Sequence, residues 1–582
     1  MKINKYMKTL RKCIKILKKY KRSMIIVYGL YFSFSAMMPI FIMLINQQML
    51  NNVQRKSDFW KSCILLVGYI VINIINSTIN NFFSIYEEKN IGNFEKYIDM
   101  LSLKKAEKIS LEMYENSETY DLIVRAKEQG GAKIIGFIQK IFQSFKAILT
   151  LISVMIVIAQ YEYWLIFFVC IIPIIRYSGI VGLNKKQFNI YCERTAKERE
   201  AEYINYLFFS GLAYKELKIF GLAEHLINKF GKIQDKLIEQ DVGIVKKYSY
   251  ITIVLNTMEF IFSGIIFFKF ILDGYKGKIL LGDISLLWNS LGQIKMNIGE
   301  IFDGITEMFK ELWYVELYFR FLDLQEIEEN REKEKIESIE SIRFASVSFK
   351  YKGRKDYTLK NISFVLTKER WIAFLGVNGS GKTTLIKLLL GLYENYEGEI
   401  YINGIELRKV DKYSYWRQMG VVFQDFVKYE ASVRENIGFG KLEEIHNDTR
   451  ILEAIQASTL SNIIHRNELD TVLGTWFGKK QLSMGQWQKI AIARLVFSNS
   501  KVLILDEPDS SLDIEARKSI YQYLEKQHSQ KIGLFISHCI NSFNEIVDEI
   551  IVLENGEIVE KGDVESLIKK KGRYYEFCVN IK

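Results

Sequence analysis

Proline is nearly absent from this chain. Pro39, Pro173 and Pro508 are the only three in 582 residues. Proline removes a backbone donor and clashes with the preceding turn, so its scarcity permits long helices, few of them forced to kink. Cysteine is scarce as well. Cys13, Cys63, Cys170, Cys192, Cys539 and Cys578 include no C-x-x-C pair, which removes the usual zinc and dithiol redox motifs and any disulfide framework. Acidic residues are missing from Met1–Arg22, a stretch that holds ten Lys or Arg.

What is present is segregated. Hydrophobic residues make up 49% and aromatics 14%, yet 25% of residues are charged. Long apolar runs dominate to about Lys310, and a soluble-looking pattern follows. The net charge of +11 invites a nucleic-acid reading. Its placement argues otherwise, because the basic block directly precedes an apolar run and so marks a cytoplasmic side. Leu10, Cys13, Ile14, Leu17 and Tyr20 recur at helical spacing. Residues 1–22 are therefore expected to form an amphipathic helix on the inner membrane surface. The alternative, the basic end of a cleaved signal peptide, is disfavoured by the long apolar run and the lack of a small-residue cleavage site.

A bilayer core of ~30 Å needs about 20 mainly apolar helical residues. Six such segments are expected within residues 23–322: Met24–Leu44, Trp60–Phe83, Ile134–Ala159, Trp164–Leu183, Ile251–Leu272 and Ile284–Thr306. With the N-terminus inside, external connections are short (Gln47–Phe59, Gln160–Tyr163, Asp273–Asp283). The cytoplasmic connections Ser84–Lys133 and Asn184–Tyr250 are long, charged and free of proline. The membrane helices are expected to continue into the cytosol. Each long connection would turn through a short helix, with Glu115–Ala126 and Gly211–Phe220 as candidates, either to touch another domain or as plain hairpins. Polar residues in a span are costly and often line a path. Asn289, Gln293, Asn297 and Glu300 share one arc of roughly 80° at the 3.6-residue period; Glu307 extends it and Lys295 lies opposite. Asn73, Asn76, Arg176 and Glu259 are further candidates. A polar, mildly acidic cavity and helix–helix hydrogen bonding both remain open.

Residues 323–338 are charged and read as a linker. From residue 339 to 582 short strands alternate with helices, an α/β pattern. Gly376–Thr383, GVNGSGKT, matches G-x-x-x-x-G-K-[ST] between an apolar strand, Trp371–Leu375, and a helix, Thr384–Leu390. Such a loop wraps phosphates with backbone N–H groups from Gly376, Val377, Asn378, Gly379, Ser380, Gly381, Lys382, Thr383 and Thr384; Lys382 reaches the β- and γ-phosphates and the Thr383 hydroxyl suits Mg²⁺. Val502–Asp506 is an apolar strand closed by a carboxylate placed for Mg²⁺, and Glu507 follows as candidate general base.

With these motifs the chain resembles the ABC transporter superfamily, exporter type, over essentially its whole length. Leu482–Gln486, LSMGQ, followed by WQKIAIAR, looks like the ABC signature. The resemblance implies a multidomain membrane protein: an all-α six-helix transmembrane domain followed by an α/β P-loop nucleotide-binding domain. It implies that Tyr351 stacks on adenine and that Gln424 contacts Mg²⁺ and senses the membrane domain. Ser510–Asp513 matches the D-loop, and His538 matches the switch histidine at the γ-phosphate. Ser483, Gly485 and Gln486 would face the ATP of an opposite subunit. Met484 departs from the family's middle glycine and is expected to retune activity, not abolish it.

One chain therefore carries half of each ATP site and must pair. A homodimer is expected, with a heterodimer with another half-transporter as the alternative. The cofactors implied are ATP and Mg²⁺; no nucleic acid is implied. The expected location is the bacterial cytoplasmic membrane, multi-pass, with the N-terminus and ATPase domain in the cytoplasm. The QWQKIA stretch, and no N-terminal peptidase domain, are similar to bacterial exporters of modified peptides such as lantibiotics. Multidrug or lipid export competes with that reading, and an ATP-gated regulator without transport is a third.

Overall fold

The computed structural model describes residues 2–57, 59–161, 194, 197–211, 213–326, 333–368, 370–475, 478–508, 511–537 and 546–580. The chain divides into two compact units, one made of Met1–Lys108 with Ser117–Leu324, the other of Ile109–Asn116 with Gln325–Lys582.

The first unit is helical. Its long helices are α1 (Lys2–Gln54) and α2 (Phe59–Glu107), and α3 (Leu111–Glu115) follows as part of the second unit. Next come α4 (Ser117–Ala159), α5 (Tyr214–Ile219), α6 (Leu222–Tyr275) and α7 (Leu281–Leu322). Scarce proline is the local reason for their length. At ~1.5 Å per residue α2 spans about 74 Å, more than twice a bilayer core. α1 breaks at Lys21, whose backbone is extended (φ −161, ψ 100); this separates the basic stretch from the apolar one.

Among the described residues, four helical stretches are long and apolar enough to cross a membrane: Lys8–Gln54, Phe59–Glu107, Lys133–Ala159 and Leu222–Tyr275. The expected fourth span, Trp164–Leu183, and Arg176 within it lie outside the described residues. The expected sixth span lies inside α7, where Asn289, Gln293, Lys295, Asn297 and Glu300 lower the hydropathy. The packed core of this unit joins Ile40 and Met43 of α1, Val154 and Ile158 of α4, Ile266 and Phe270 of α6, and Leu287, Ile294 and Ile298 of α7. At one end Asp283 of α7 accepts hydrogen bonds from Gln47 (2.7 Å) and Asn51 (2.9 Å) of α1 and from the Tyr161 hydroxyl (3.2 Å).

One expected turn is misplaced. The short helix is Leu111–Glu115, not Glu115–Ala126, because Asn116 is extended (φ −83, ψ 118) and Ser117 already begins α4. In the second long connection α5 falls within Gly211–Phe220, and Gly221 at φ +63 turns the chain into α6.

The second unit holds two sheets. An antiparallel sheet has the order β2–β1–β4–β5, with β1 Ser341–Phe349, β2 Leu359–Thr367, β4 Glu397–Ile402 and β5 Ile405–Glu406. The larger sheet runs β10–β9–β3–β8–β7–β6, with β3 Ile372–Leu375, β6 Met419–Val422, β7 Val502–Asp506, β8 Ile532–Ile536, β9 Glu549–Glu554 and β10 Glu557–Gly562. Its strands are parallel except for the β9–β10 hairpin. β3, β7 and β8 are buried at every position, as strands covered on both faces must be. α8 (Lys382–Leu389) follows β3; α9 (Val433–Gly438), α10 (Asp448–Ala457) and α11 (Met484–Ser498) share a further core through Ile437, Ile451, Trp487 and Ile490. The end of the charged stretch packs on the second unit: Ile336 is buried with the β1 and β2 core, and the Glu334 backbone bonds to Lys409 and Asp411.

Lys531 enters β8 with its side chain buried, and its ammonium donates to Asn499 Oδ1 at 3.0 Å. Burial, helped by nearby Lys501, pushes its pKa down from 10.5 to about 8. The charged form is thus disfavoured in the folded protein. Between these two values the unfolded chain binds more protons, so stability must rise with pH there and the penalty is complete below pH 8. Lys531→Met has no such group. The melting temperature of the wild type, relative to this variant, is expected to climb between pH 8 and 10.5 in thermal scans; parallel curves would contradict it.

Candidate functional site

Adjacent parallel strands end side by side, and the candidate residues hang from those ends. Phe374 of β3 pairs with Ile536 of β8, Ile536 pairs with Asp506 of β7, and Leu505 pairs with Val422 of β6. The loop Gly376–Thr383 leaves β3, Glu507 leaves β7, Gln424 leaves β6, and His538 follows β8 but lies outside the described residues.

The phosphate-type loop has the backbone its glycines allow. Gly379 and Gly381 sit at φ +83 and +107, left-handed conformations that favour glycine. A Cβ on Gly381 would come within 2.7 Å of the Leu359 side chain, and one on Gly376 would collide with the Leu553 carbonyl. Lys382 folds back across the loop and donates to the carbonyls of Gly376 (2.8 Å) and Val377 (3.1 Å). Burial lowers its pKa, while Glu507 and Asp506 pull it upward. Thr383 is exposed at the start of α8, and Thr384 is buried.

Asp506 is 2% exposed. Burial, then the neighbouring Glu507, pushes its pKa up to about 6, against the opposing pull of Lys382. Two carboxylates held so close invite a cation. Glu507 has left-handed backbone (φ +50) and accepts a hydrogen bond from Gln424 Nε2 at 2.9 Å. A buried carboxylate, an exposed hydroxyl and a side-chain amide form a hard oxygen-donor set, which fits Mg²⁺.

Tyr351 lies at a cavity of about 410 Å³ whose lining includes Lys350, Lys352, Arg354, Lys387 and Tyr393. Its hydroxyl is 2.9 Å from that of Thr384, which ties the ring to α8. Cationic and aromatic side chains of this kind suit a nucleotide base and its phosphates. On the same wall Glu115 of α3 accepts from Lys387 Nζ at 2.8 Å and from the Tyr393 hydroxyl. Burial acts to raise the Glu115 pKa, but these two donors outweigh it and hold it low.

Ser483 caps α11 reciprocally with Gln486: Ser483 Oγ accepts from the Gln486 N–H (3.3 Å) and Gln486 Oε1 from the Ser483 N–H (2.9 Å). Met484 is the first helical residue and 49% exposed. Gly485 packs on the 511–513 turn, where an added Cβ would lie 2.5 Å from the Ser511 carbonyl. Ser510 lies outside the described residues; Asp513 caps the next helix through the Ala516 N–H at 2.7 Å.

Two features escaped the sequence reading. Gln488, buried among apolar neighbours in α11, donates to the Glu507 carbonyl and accepts from the Ser511 N–H. Its one available signal is a polar residue inside a run that faces the core. Glu115 was expected in a short helix that touches another domain, but no local pattern reports its partners Lys387 and Tyr393.

The first unit contains a cavity of about 720 Å³, bordered by amide side chains (Asn46, Asn76, Asn80, Asn289, Gln293) together with Glu259. Asn297 instead is buried and donates to the Gln293 carbonyl at 2.7 Å, and Asn73 donates to the Tyr69 carbonyl at 2.8 Å. Among the described residues, the lining includes neither Glu300 nor Glu307. Glu300 is exposed and Glu307 pairs with Lys140 at 2.5 Å. Lys146 and Lys295 also border the cavity, and Lys295 stands 3.4 Å from Glu259.

The family described as ABC transporter matches residues 359–510. The chain is 32% identical over 570 residues to the subtilin transport ATP-binding protein SpaT of Bacillus subtilis, covering 97% of this chain and 92% of that protein. It is 28% identical over 574 residues to the nisin transport ATP-binding protein NisT of Lactococcus lactis subsp. lactis, covering 98% and 94%. The fold matches the structure of a bacterial Atm1-family ABC exporter with ATP bound, with a TM-score of 0.77, 19% identity and coverage of 95% and 97%.

Two outcomes are expected at this site. Tyr351→Ala removes the aromatic wall of the cavity beside Lys387 and should weaken ATP binding roughly tenfold or more, read by titration with a fluorescent ATP analogue. Gly485→Ala forces a methyl against the Ser511 carbonyl and should lower ATPase turnover by about tenfold. Unchanged turnover would show that the turn yields without consequence.

Proposed function

The chain belongs to the ABC transporter family, exporter type, and from that premise we propose that it is one protomer of a homodimer exporting a modified, lantibiotic-like peptide across a bacterial cytoplasmic membrane. The chain is an ATP-binding, multi-pass membrane transporter that couples ATP hydrolysis to export. The observation that carries the substrate reading is likeness to SpaT and NisT along the whole chain, membrane half included. The amide-rich cavity supports it, since carboxamides pair with both the donors and the acceptors of a peptide backbone.

In this reading residues 1–22 lie on the inner membrane surface, 23–322 form the six-helix membrane domain, 323–338 the linker and 339–582 the ATPase, with N-terminus and ATPase cytoplasmic. Thr383, Gln424 and Asp506 would hold Mg²⁺, which supplies positive charge against the phosphate oxygens. Lys382 exchanges its carbonyl partners for the β- and γ-phosphates, cradled by the N–H groups of residues 376–384. Tyr351 stacks on adenine. Glu507 takes a proton from the attacking water, and His538 holds the γ-phosphate. Ser483, Gly485 and Gln486 complete the partner's site at the N-terminus of α11, where a helix favours an anion. Within the second unit, Glu115 ties α3 to Lys387 of α8.

Glu507→Gln should abolish turnover and leave ATP bound; full ATPase activity would remove Glu507 from its role. The purified chain in lipid vesicles should show ATPase stimulation by a lanthionine-bridged peptide. Stimulation by a drug or a lipid, with none by any peptide, would overturn the substrate assignment.

A further inference from the structure

Gln488 stands at the centre of a small hydrogen-bonded node between α11 and the chain leaving β7. It is 2% exposed. Its Nε2 donates to the Glu507 carbonyl at 3.1 Å, and its Oε1 accepts from the Ser511 N–H at 3.0 Å. One carboxamide therefore bonds to the backbone of both Glu507 and Ser511. Glu507 itself has φ +50, a left-handed conformation that strains a non-glycine residue. It persists because both of its backbone polar groups are held. Its N–H donates to the Ile536 carbonyl of β8 at 2.9 Å, and its carbonyl is held by Gln488.

We propose that Gln488 is a positioning residue for hydrolysis, whose carboxamide fixes the Glu507 backbone and thereby the direction of the Glu507 carboxylate. The inference rests on the reading of Glu507 as general base. The backbone direction at Glu507 is set from two sides, by β8 and by α11, and its carboxylate meets Gln424 Nε2 at 2.9 Å. Without the Gln488 donor, the strained residue can relax toward ordinary backbone. A shift of about 1 Å in a catalytic group can lower turnover as much as 100-fold. The other half of the grip has its own support. The Ser511 carbonyl lies against Gly485, so the start of α11 packs directly on Ser511. Lys489, the next residue, adds an ion pair to Asp513 at 3.2 Å.

The test uses the full chain in lipid vesicles with three variants. Gln488→Met keeps the volume and removes both hydrogen bonds. Gln488→Glu keeps an acceptor for the Ser511 N–H but has no N–H for the Glu507 carbonyl. Glu507→Gln reports the base itself. Both Gln488 variants should lose roughly 10- to 100-fold in kcat, keep KM for ATP within about twofold, and retain ATP after desalting as Glu507→Gln does. The melting temperature should hold. Turnover near wild type in both Gln488 variants, with Glu507→Gln inactive, would overturn this proposal alone. Loss in Gln488→Met with none in Gln488→Glu would move the effect to Ser511 and also overturn it. A parallel fall in ATP affinity and melting temperature would mark a purely structural role and do the same. Full activity of Glu507→Gln would overturn the base assignment, and this proposal with it.

Discussion

The ATPase unit depends on strands that are buried on both faces and stop together. β3, β8 and β7 have no exposed position from end to end, so polar chemistry can begin only where each strand stops. Register does the rest. Because Phe374, Ile536 and Asp506 are paired across three strands, the phosphate-type loop and the carboxylates emerge as neighbours. Binding outside the carboxyl ends of parallel strands is the general rule for such sheets. The strained backbone lies where this arrangement demands a sharp exit: Gly379 and Gly381 after β3, and Glu507 after β7. At the first two, glycine makes the turn without steric penalty. At the third a glutamate takes the same kind of conformation, and hydrogen bonds from two sides keep it there.

The membrane unit answers a different constraint. In hydrocarbon every backbone polar group must be satisfied internally, which long helices achieve at once. Polar side chains then need company. Asn73 and Asn297 return their amides to carbonyls one turn back in their own helices. Asp283 collects donors from α1 and from Tyr161. Others gather around one cavity, where Glu259 and Lys295 face each other. Among the described residues, amides outnumber charges on its wall.

Much of this was legible from the sequence, and the reason is locality. The phosphate-type loop, the strand ending in Asp506 and the start of α11 are each set by a few consecutive residues whose backbone demands are written in glycine, serine and β-branched runs. The arc of Asn289, Gln293 and Asn297 was legible because helical periodicity needs only one helix. Its charge was not, because Lys146 and Glu259 come from other helices and Lys295, expected opposite the arc, reaches the same cavity. Glu115 and Gln488 were missed for the same reason: each acts on a backbone or side chain far along the chain, and nothing near it in sequence signals the partner. The break at Asn116 was misread because Glu115–Ala126 has no proline or glycine, while an extended asparagine ends α3 just as firmly.

Met484 can be judged on backbone grounds. A glycine is needed where φ is left-handed or where a Cβ has no room. Met484 meets neither condition: it is the first residue of α11, is absent from the left-handed positions, and is 49% exposed. Gly485 meets the second, since the Ser511 carbonyl occupies the place of its Cβ. The Ser483–Gln486 cap closes around Met484 without distortion. The departure from the family pattern therefore leaves the helix terminus and its N–H groups intact. Any effect of Met484 must come from its side chain, a flexible thioether added to the surface that the second protomer's nucleotide would meet. It would alter the fit between two chains and leave the fold of each one unchanged.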